Sequence, residues 1–270
     1  MKTIQKKDRP IGVFDSGLGG ISVLKELMYL LPRENYIFYA DAAHTPYGER
    51  SIEELEALTT RAAETLIQEG VKAILIACNT ATSAAGQALR EKHPELPIIG
   101  IEPAVKPAVL SGGHPTVVVM ATHATLRQEK YRKLLEKYKN QGNIYSLPAP
   151  GLVTFVEQGE LDTEAVRSYI REGIKGLSIP DNKIDAVVLG CTHFPFVRSA
   201  IESVVGKEAN VYDGAQGAAQ EMKRRLKAQE LLSERTETGT ILWQNSKGEE
   251  AYNKKAEGML ALLKAHTLRE

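Results

Sequence analysis

The sequence is poor in several things, and each shortage removes a class of explanation. There are only two cysteines, Cys78 and Cys191, among 270 residues. That is too few for a disulfide-stapled fold, and their places at two expected strand ends favour free thiols over the one bridge they could form. No Cys and His spacing resembles a zinc site, so no metal is expected. Net charge is absent too, with 34 Lys and Arg against 34 Asp and Glu, which argues against a nucleic-acid partner read through a basic face and against a polybasic membrane anchor. No segment approaches the ~20 apolar residues of a spanning helix. The basic opening, residues 1–9, is not followed by the apolar core of a secretory leader. These absences lead to the expectation of a soluble, cytoplasmic protein without membrane or nucleic-acid partners, long enough for two ordinary domains.

What is present centres on two similar stretches. Ala73-Ile74-Leu75-Ile76-Ala77 ends in Cys78-Asn79-Thr80, and Ala186-Val187-Val188-Leu189-Gly190 ends in Cys191-Thr192-His193. Continuous apolar runs of this length between helical patterns read as strands of a parallel sheet covered on both faces. Ligand chemistry on such sheets gathers beyond the carboxyl ends of the strands, where both thiols fall.

In chain order, a strand over 11–14 runs into Asp15-Ser16-Gly17-Leu18-Gly19-Gly20 and a helix with Leu24, Leu27, Met28 and Leu31 on one face. A glycine-rich turn at a helix amino terminus suits an anion, either a phosphate or a small carboxylate. The dinucleotide fingerprint fails here because Ser22 occupies its third glycine position. A strand over 36–40 ends at Asp41 and leads through Pro46-Tyr47-Gly48 to a helix over 51–69, with Ser51 and Glu54 forming a capping box. After the first cysteine strand comes a strand over 97–101. Residues 102–107, with two prolines interrupting a helical pattern, read as a crossing between domains.

From Thr116 the pattern begins again: strands over 117–120, 143–147, 186–189 and 209–212, with helices near 131–138 and 163–177. Val13 and Val119, Ile37 and Ile144, Cys78 and Cys191, and Ile99 and Val211 recur at a nearly constant separation. The expectation is an α/β protein of two pseudo-symmetric domains with mainly parallel sheets, residues 1–103 with 215–270 and residues 104–214. Such a pair would set the two thiols on opposite walls of the cleft between the domains. The tail, with a helix to Leu232, a strand over 240–243 and a helix over 253–265, returns to cover the first domain.

Inverting a stereocentre by proton transfer needs a base on one face and an acid on the other. Cysteine, with a reference pKa of about 8.5 that helix termini and donors can lower, suits both roles. Asp15, His193 and Glu157 are the polar neighbours available to orient or tune the thiols. Each residue also has a plainer reading. A lone cysteine is most often a small buried hydrophobe, Asp15 could cap a helix, and His193 could be structural. Pro46-Tyr47-Gly48 could be only a turn, and Thr122 and Thr125 could be helix caps. Glu157, following an apolar segment, could be a solvated carboxylate on a surface loop. His44, His93, His114, His123 and His266 take no assignment.

With these residues in view, the chain resembles the glutamate racemases of the two-cysteine Asp/Glu racemase family. The resemblance rests on Asp15-Ser16-Gly17-Leu18-Gly19-Gly20, Pro46-Tyr47-Gly48, Ala77-Cys78-Asn79-Thr80-Ala81 and Gly190-Cys191-Thr192-His193-Phe194-Pro195, in that order. It implies interconversion of L- and D-glutamate for peptidoglycan synthesis by a homodimer that uses no cofactor. Cys78 would take the α-proton of D-glutamate and Cys191 that of L-glutamate, with Asp15 and His193 assisting and Glu157 supporting the second thiol. Ser16, Pro46, Tyr47, Gly48, Asn79, Thr80 and Thr192 would bind substrate together with Asp15 and His193, and Thr122 and Thr125 would line the pocket. The chain departs from the family pattern at Ala121 (usually Gly), Gln128 (usually Ser) and Ala149 (usually Cys in Ala-Cys-Pro). An aspartate racemase is the nearest alternative, and His193 after Thr192, rather than Glu, favours glutamate by the same resemblance. A nucleotide-binding regulatory module using Gly17 to Gly20, and a scaffold or inhibitor that has lost turnover, are readings of other classes.

Overall fold

The structure is a computed structural model that describes residues 5–267, the side chains of residues 182, 266 and 267 excepted. Residues 1–4 of the basic opening, and the side chain of His266, lie outside the described residues. The chain begins with β1 (Ile11–Asp15), α1 (Ile21–Leu30), β2 (Tyr36–Ala40), α2 (Ile52–Gln68), β3 (Ala73–Ile76), α3 (Asn79–Lys92) and β4 (Ile98–Gly100). Next come α4 (Val105–Val109), β5 (Thr116–Ala121), α5 (His123–Arg127), α6 (Glu129–Tyr138), β6 (Asn143–Pro148), α7 (Gly151–Gln158), α8 (Glu164–Lys175), β7 (Ala186–Leu189), α9 (Arg198–Val205) and β8 (Asn210–Asp213). It ends with α10 (Ala215–Ala228), β9 (Ile241–Asn245) and α11 (Glu250–Thr267).

These elements form two compact units. The first runs to Tyr47, resumes over Ser51–Ile101 and closes from Ala215 onward; the second holds Glu102–Gly214 and the tripeptide Gly48–Arg50. The tripeptide belongs there because Gly48 lies against Thr122, where a Cβ would come within 2.8 Å of the threonine Cβ. Glu49 Oε1 also lies 3.2 Å from His123 Nδ1.

Each unit is built on an all-parallel sheet, in the order β4-β3-β1-β2-β9 in the first and β6-β5-β7-β8 in the second. Counting strands by their order within each unit, both sheets carry the sequence fourth, third, first, second. The recurring spacing is therefore a repeat of topology. Every residue of β1, β3 and β7 is buried, because helices cover both faces of such strands, and this is why they read as unbroken apolar runs. The edge strands β6 and β8 are largely half-exposed and their sequences are correspondingly mixed.

Local chemistry sets the element boundaries. At α2, Glu54 N–H donates to Ser51 Oγ at 3.2 Å and Ser51 N–H donates to Glu54 Oε2 at 3.0 Å, completing the expected capping box. The expectation that prolines break the helical pattern over 102–107 is corrected, since Pro107 lies inside α4. It occupies the first turn, where a backbone N–H has no partner to lose. In the tail, β9 pairs in parallel with β2, placing Trp243 beside Phe38 with ring centroids 5.4 Å apart. Among the described residues no helix is long and apolar enough to cross a membrane.

At the amino ends of the first sheet, Lys72 is fully buried and donates from Nζ to Glu34 Oε2 and to the Lys7 carbonyl, the latter at 2.5 Å. Glu34 Oε1 accepts the Ser233 N–H at 2.9 Å, so the pair ties β3 to the segment that follows α10. Burial pushes the Lys72 ammonium below its ordinary value, and the Glu34 carboxylate opposes that shift. Removing one member leaves a charge in the interior. Lys72→Met is therefore expected to cost about 3 kcal/mol or more, read as a lowered urea midpoint, and adding Glu34→Leu should recover part of the loss.

Candidate active site

In the first unit the polar residues collect past the carboxyl ends of β1, β2 and β3. Asp15 closes β1 and is fully buried. Its Oδ2 accepts the Gly17 N–H at 3.0 Å, and its backbone carbonyl accepts the Asp41 N–H at 2.9 Å. Gly20 is required by a close approach, because a Cβ there would stand 2.5 Å from Asp15 Cβ and 3.2 Å from Ala77 Cβ. The glycine-rich turn thus lets the start of α1 close down on the Asp15 carboxylate.

Cys78 lies two residues beyond β3 as the N-cap residue of α3, in an extended conformation with φ −76° and ψ 122°. Its Sγ is 3.7 Å from Ser16 Oγ. A helix of 14 residues starts there, so the thiol sits at the positive end of a helix dipole. Asn79 and Thr80 follow and are buried. Among the described residues Asn79 Oδ1 has no hydrogen-bond partner, and buried polar atoms are nearly always paired.

Tyr47, also buried, donates its hydroxyl to Asp41 Oδ2 at 2.6 Å, while Asp41 Oδ1 lies 2.8 Å from His44 Nδ1. Burial, then the Asp41 hydrogen bond and charge, push the Tyr47 phenol far above its ordinary value, so it stays neutral with its proton committed to Asp41. Asp41 and His44 fall outside the predicted set. Asp41 had a signal, since it ends its strand as Asp15 ends the first. Pro46 is exposed beside them, after a cis Thr45–Pro46 bond.

In the second unit Cys191 lies two residues beyond β7. Cys191 does not lead straight into a helix as Cys78 does. A 3-10 turn over Phe194–Val197, with Pro195 in it, intervenes before α9. A side chain takes the helix's place: His193 Nδ1 is 3.7 Å from Cys191 Sγ, and His193 Nε2 is 2.8 Å from Glu157 Oε1. The reading of Glu157 as a surface-loop carboxylate is corrected as well. It lies in the last turn of α7 with its side chain 19% exposed, where the helix dipole disfavours a negative charge and the His193 ring compensates it.

His193 is 2% exposed. Burial works against its charged form, but hydrogen bonds and charge from Cys191 and Glu157 outweigh that and raise the imidazole well above its usual pKa. Its two N–H groups can then serve the sulfur on one side and the carboxylate on the other. Thr192 is buried between Cys191 and His193.

Thr122 is the N-cap of α5, accepting the Thr125 N–H at 3.3 Å with the two hydroxyls 3.1 Å apart, so the capping reading holds for it. Gly190 permits another close approach, since a Cβ there would stand 2.8 Å from the Met120 carbonyl and 3.0 Å from Ala121 Cβ. Each unit therefore gathers its own predicted set, Asp15, Ser16, Cys78, Asn79 and Thr80 in one and Glu157, Cys191, Thr192 and His193 in the other. Among the described residues no group of three or more His, Cys, Asp or Glu side chains could hold a metal ion.

Known proteins match the chain over most of its length. The model of the Asp/Glu/Hydantoin racemase family matches residues 11–222. A glutamate racemase of Clostridium perfringens is 48% identical over 235 residues, covering 87% of this chain and 90% of that protein. The crystal structure of glutamate racemase from Francisella tularensis in complex with D-glutamate superposes with a TM-score of 0.81 at 30% identity, covering 94% of each chain. The glutamate racemase isoform RacE1 of Bacillus anthracis gives a TM-score of 0.83 at 30% identity, covering 94% of this chain and 95% of that one. Its paired parallel sheets, its two strand-end thiols and these matches agree, and the chain belongs to the Asp/Glu/Hydantoin racemase family.

Proposed function

We propose that this protein is a glutamate racemase working by two-base proton transfer between its thiols, without pyridoxal phosphate or metal. The observation that carries the reading is the Cys191, His193 and Glu157 chain in one unit, together with a second thiol at a helix amino terminus beside Ser16 in the other. Starting from L-glutamate, the Cys191 thiolate removes the α-proton, and the electron pair left on carbon spreads into the α-carboxylate. The Cys78 thiol then delivers its proton to the other face. The product is D-glutamate, with a thiol at Cys191 and a thiolate at Cys78, which is the state that begins the reverse reaction. His193, held protonated, stabilises the Cys191 thiolate, and Asp15 assists at Cys78.

Substrate binding follows from the donors and acceptors left over. The first N–H groups of α3, at Asn79 and Thr80, suit a carboxylate. The buried Asn79 Oδ1 acceptor and the acceptor side of the Tyr47 hydroxyl suit the ammonium group. Ser16, Gly48 and Thr192 complete the contacts, with Thr122 and Thr125 beside Gly48. The matched relatives are named as glutamate racemases, which supports the longer acid over aspartate. Supply of D-glutamate for peptidoglycan and a homodimeric assembly belong to the same reading.

The direct test incubates reduced, cofactor-free protein with L-glutamate, and separately with L-aspartate, in D₂O. Solvent deuterium at the α-carbon and decay of optical activity are expected with glutamate; exchange with aspartate alone would move the assignment to aspartate, and exchange with neither would remove it. Cys78→Ser and Cys191→Ser are each expected to lower kcat/KM by about 100-fold or more, while each retains elimination from a glutamate analogue bearing a β-leaving group, which needs one base. Equal tolerance of both substitutions would sink the mechanism. Glu157→Gln takes one anion from His193, so the imidazole titrates at lower pH. The alkaline limb of the kcat profile should move to lower pH, and a profile that stays in place or moves upward counts against the assigned role.

A further inference from the structure

Glu157 reaches His193 from α7, and beside the packing of Leu152, Val153 and Val156 one residue of the neighbouring helix touches α7 at two points. The first N–H groups of a helix lack partners inside it. In α7 the N-cap position is Pro150, which supplies no side-chain acceptor. The Gly151 N–H instead donates to the Tyr169 hydroxyl of α8 at 3.0 Å. The Tyr169 ring also occupies the space a side chain at 151 would need, with a Cβ there 2.8 Å from Cε2 and Cζ. One turn further along α7, the Phe155 ring meets the same Tyr169 ring edge-on, at a centroid distance of 6.0 Å and an angle of 71°. Tyr169 therefore fixes α7 at its first residue and again two residues before Glu157. At its other end the helix is closed by Gly159 in the left-handed conformation, φ 86°, whose N–H returns to the Val156 carbonyl.

We propose that Tyr169 is a positioning residue for the Cys191 half of the reaction, acting through α7 to hold the Glu157 carboxylate on His193. The inference rests on the reading of Cys191 as one of the two bases. The titratable groups that face the His193 ring are Cys191 on its own loop and Glu157 on α7. The phenol itself touches neither His193 nor the sulfur among the contacts described. Its influence passes through the backbone of an eight-residue helix, and small displacements in such chains are costly, a 1 Å misplacement being able to cost on the order of 100-fold in rate.

The test compares Tyr169→Phe, which keeps the ring and removes the acceptor, with Gly151→Ala, which keeps the phenol and drives a methyl into the ring. The readout that does not depend on turnover is the His193 titration followed by imidazole NMR in the full-length protein. Both variants are expected to lower the His193 pKa, in the same sense as Glu157→Gln, and to reduce kcat by about 10-fold with a smaller change in KM. Combining Tyr169→Phe with Glu157→Gln should give little further shift. An unchanged His193 titration in Tyr169→Phe overturns the proposal whatever the racemisation rate. A lowered pKa in a protein that does not racemise glutamate would uphold the linkage and overturn the functional reading instead.

Discussion

Charging an imidazole inside a protein sacrifices its hydration, and the charge persists only where anionic partners replace the water. His193 meets that condition with a sulfur at 3.7 Å on one ring nitrogen and a carboxylate at 2.8 Å on the other. The arrangement of the second unit serves this contact. β7 delivers Cys191 and His193 on the same short loop, the 3-10 turn with Pro195 stops a regular helix from starting at once, and α7 brings a carboxylate from 36 residues earlier in the chain. Without Glu157, burial of the ring is opposed by a single partner.

The first unit solves the same problem by other means. Its strands lie in the same order, and its thiol follows the equivalent strand, yet α3 begins directly after Cys78. The positive end of a helix consists of backbone N–H groups that do not titrate, whereas the imidazole beside Cys191 does. Duplicated topology has thus been furnished with one thiol at the end of a backbone dipole and one beside a titratable ring. A racemase reading gives both thiols the same task in opposite directions, and the structure gives them unequal neighbourhoods in which to do it.

Much of this was legible in the sequence because local rules produced it. Burial on both faces made β1, β3 and β7 continuous apolar runs, and Ser51 with Glu54 declared the start of α2. The two cysteines announced themselves by recurring after equivalent strands. What was not legible depends on partners distant in the chain. Nothing beside Glu157 says that α7 turns it toward His193, and nothing beside Lys72 says that Glu34 will neutralise it inside the fold. Pro107 misleads because a proline that ends a helix and one tolerated in its first turn look alike in sequence. Gly48 reads as part of a turn until its lack of a side chain is set against Thr122.

The fifth strand of the first sheet carries an implication for the order in which the protein can be assembled during synthesis. β2 has its outer neighbour only when β9 arrives, and Trp243 cannot meet Phe38 until some two hundred intervening residues have left the ribosome. The second unit, by contrast, draws its four strands from the uninterrupted stretch Glu102–Gly214. A nascent chain can therefore complete the second sheet while β2 of the first still has an unpaired edge, even though the strands and helix around Cys78 have already been made. The first sheet is thus the earlier to begin and the later to be completed.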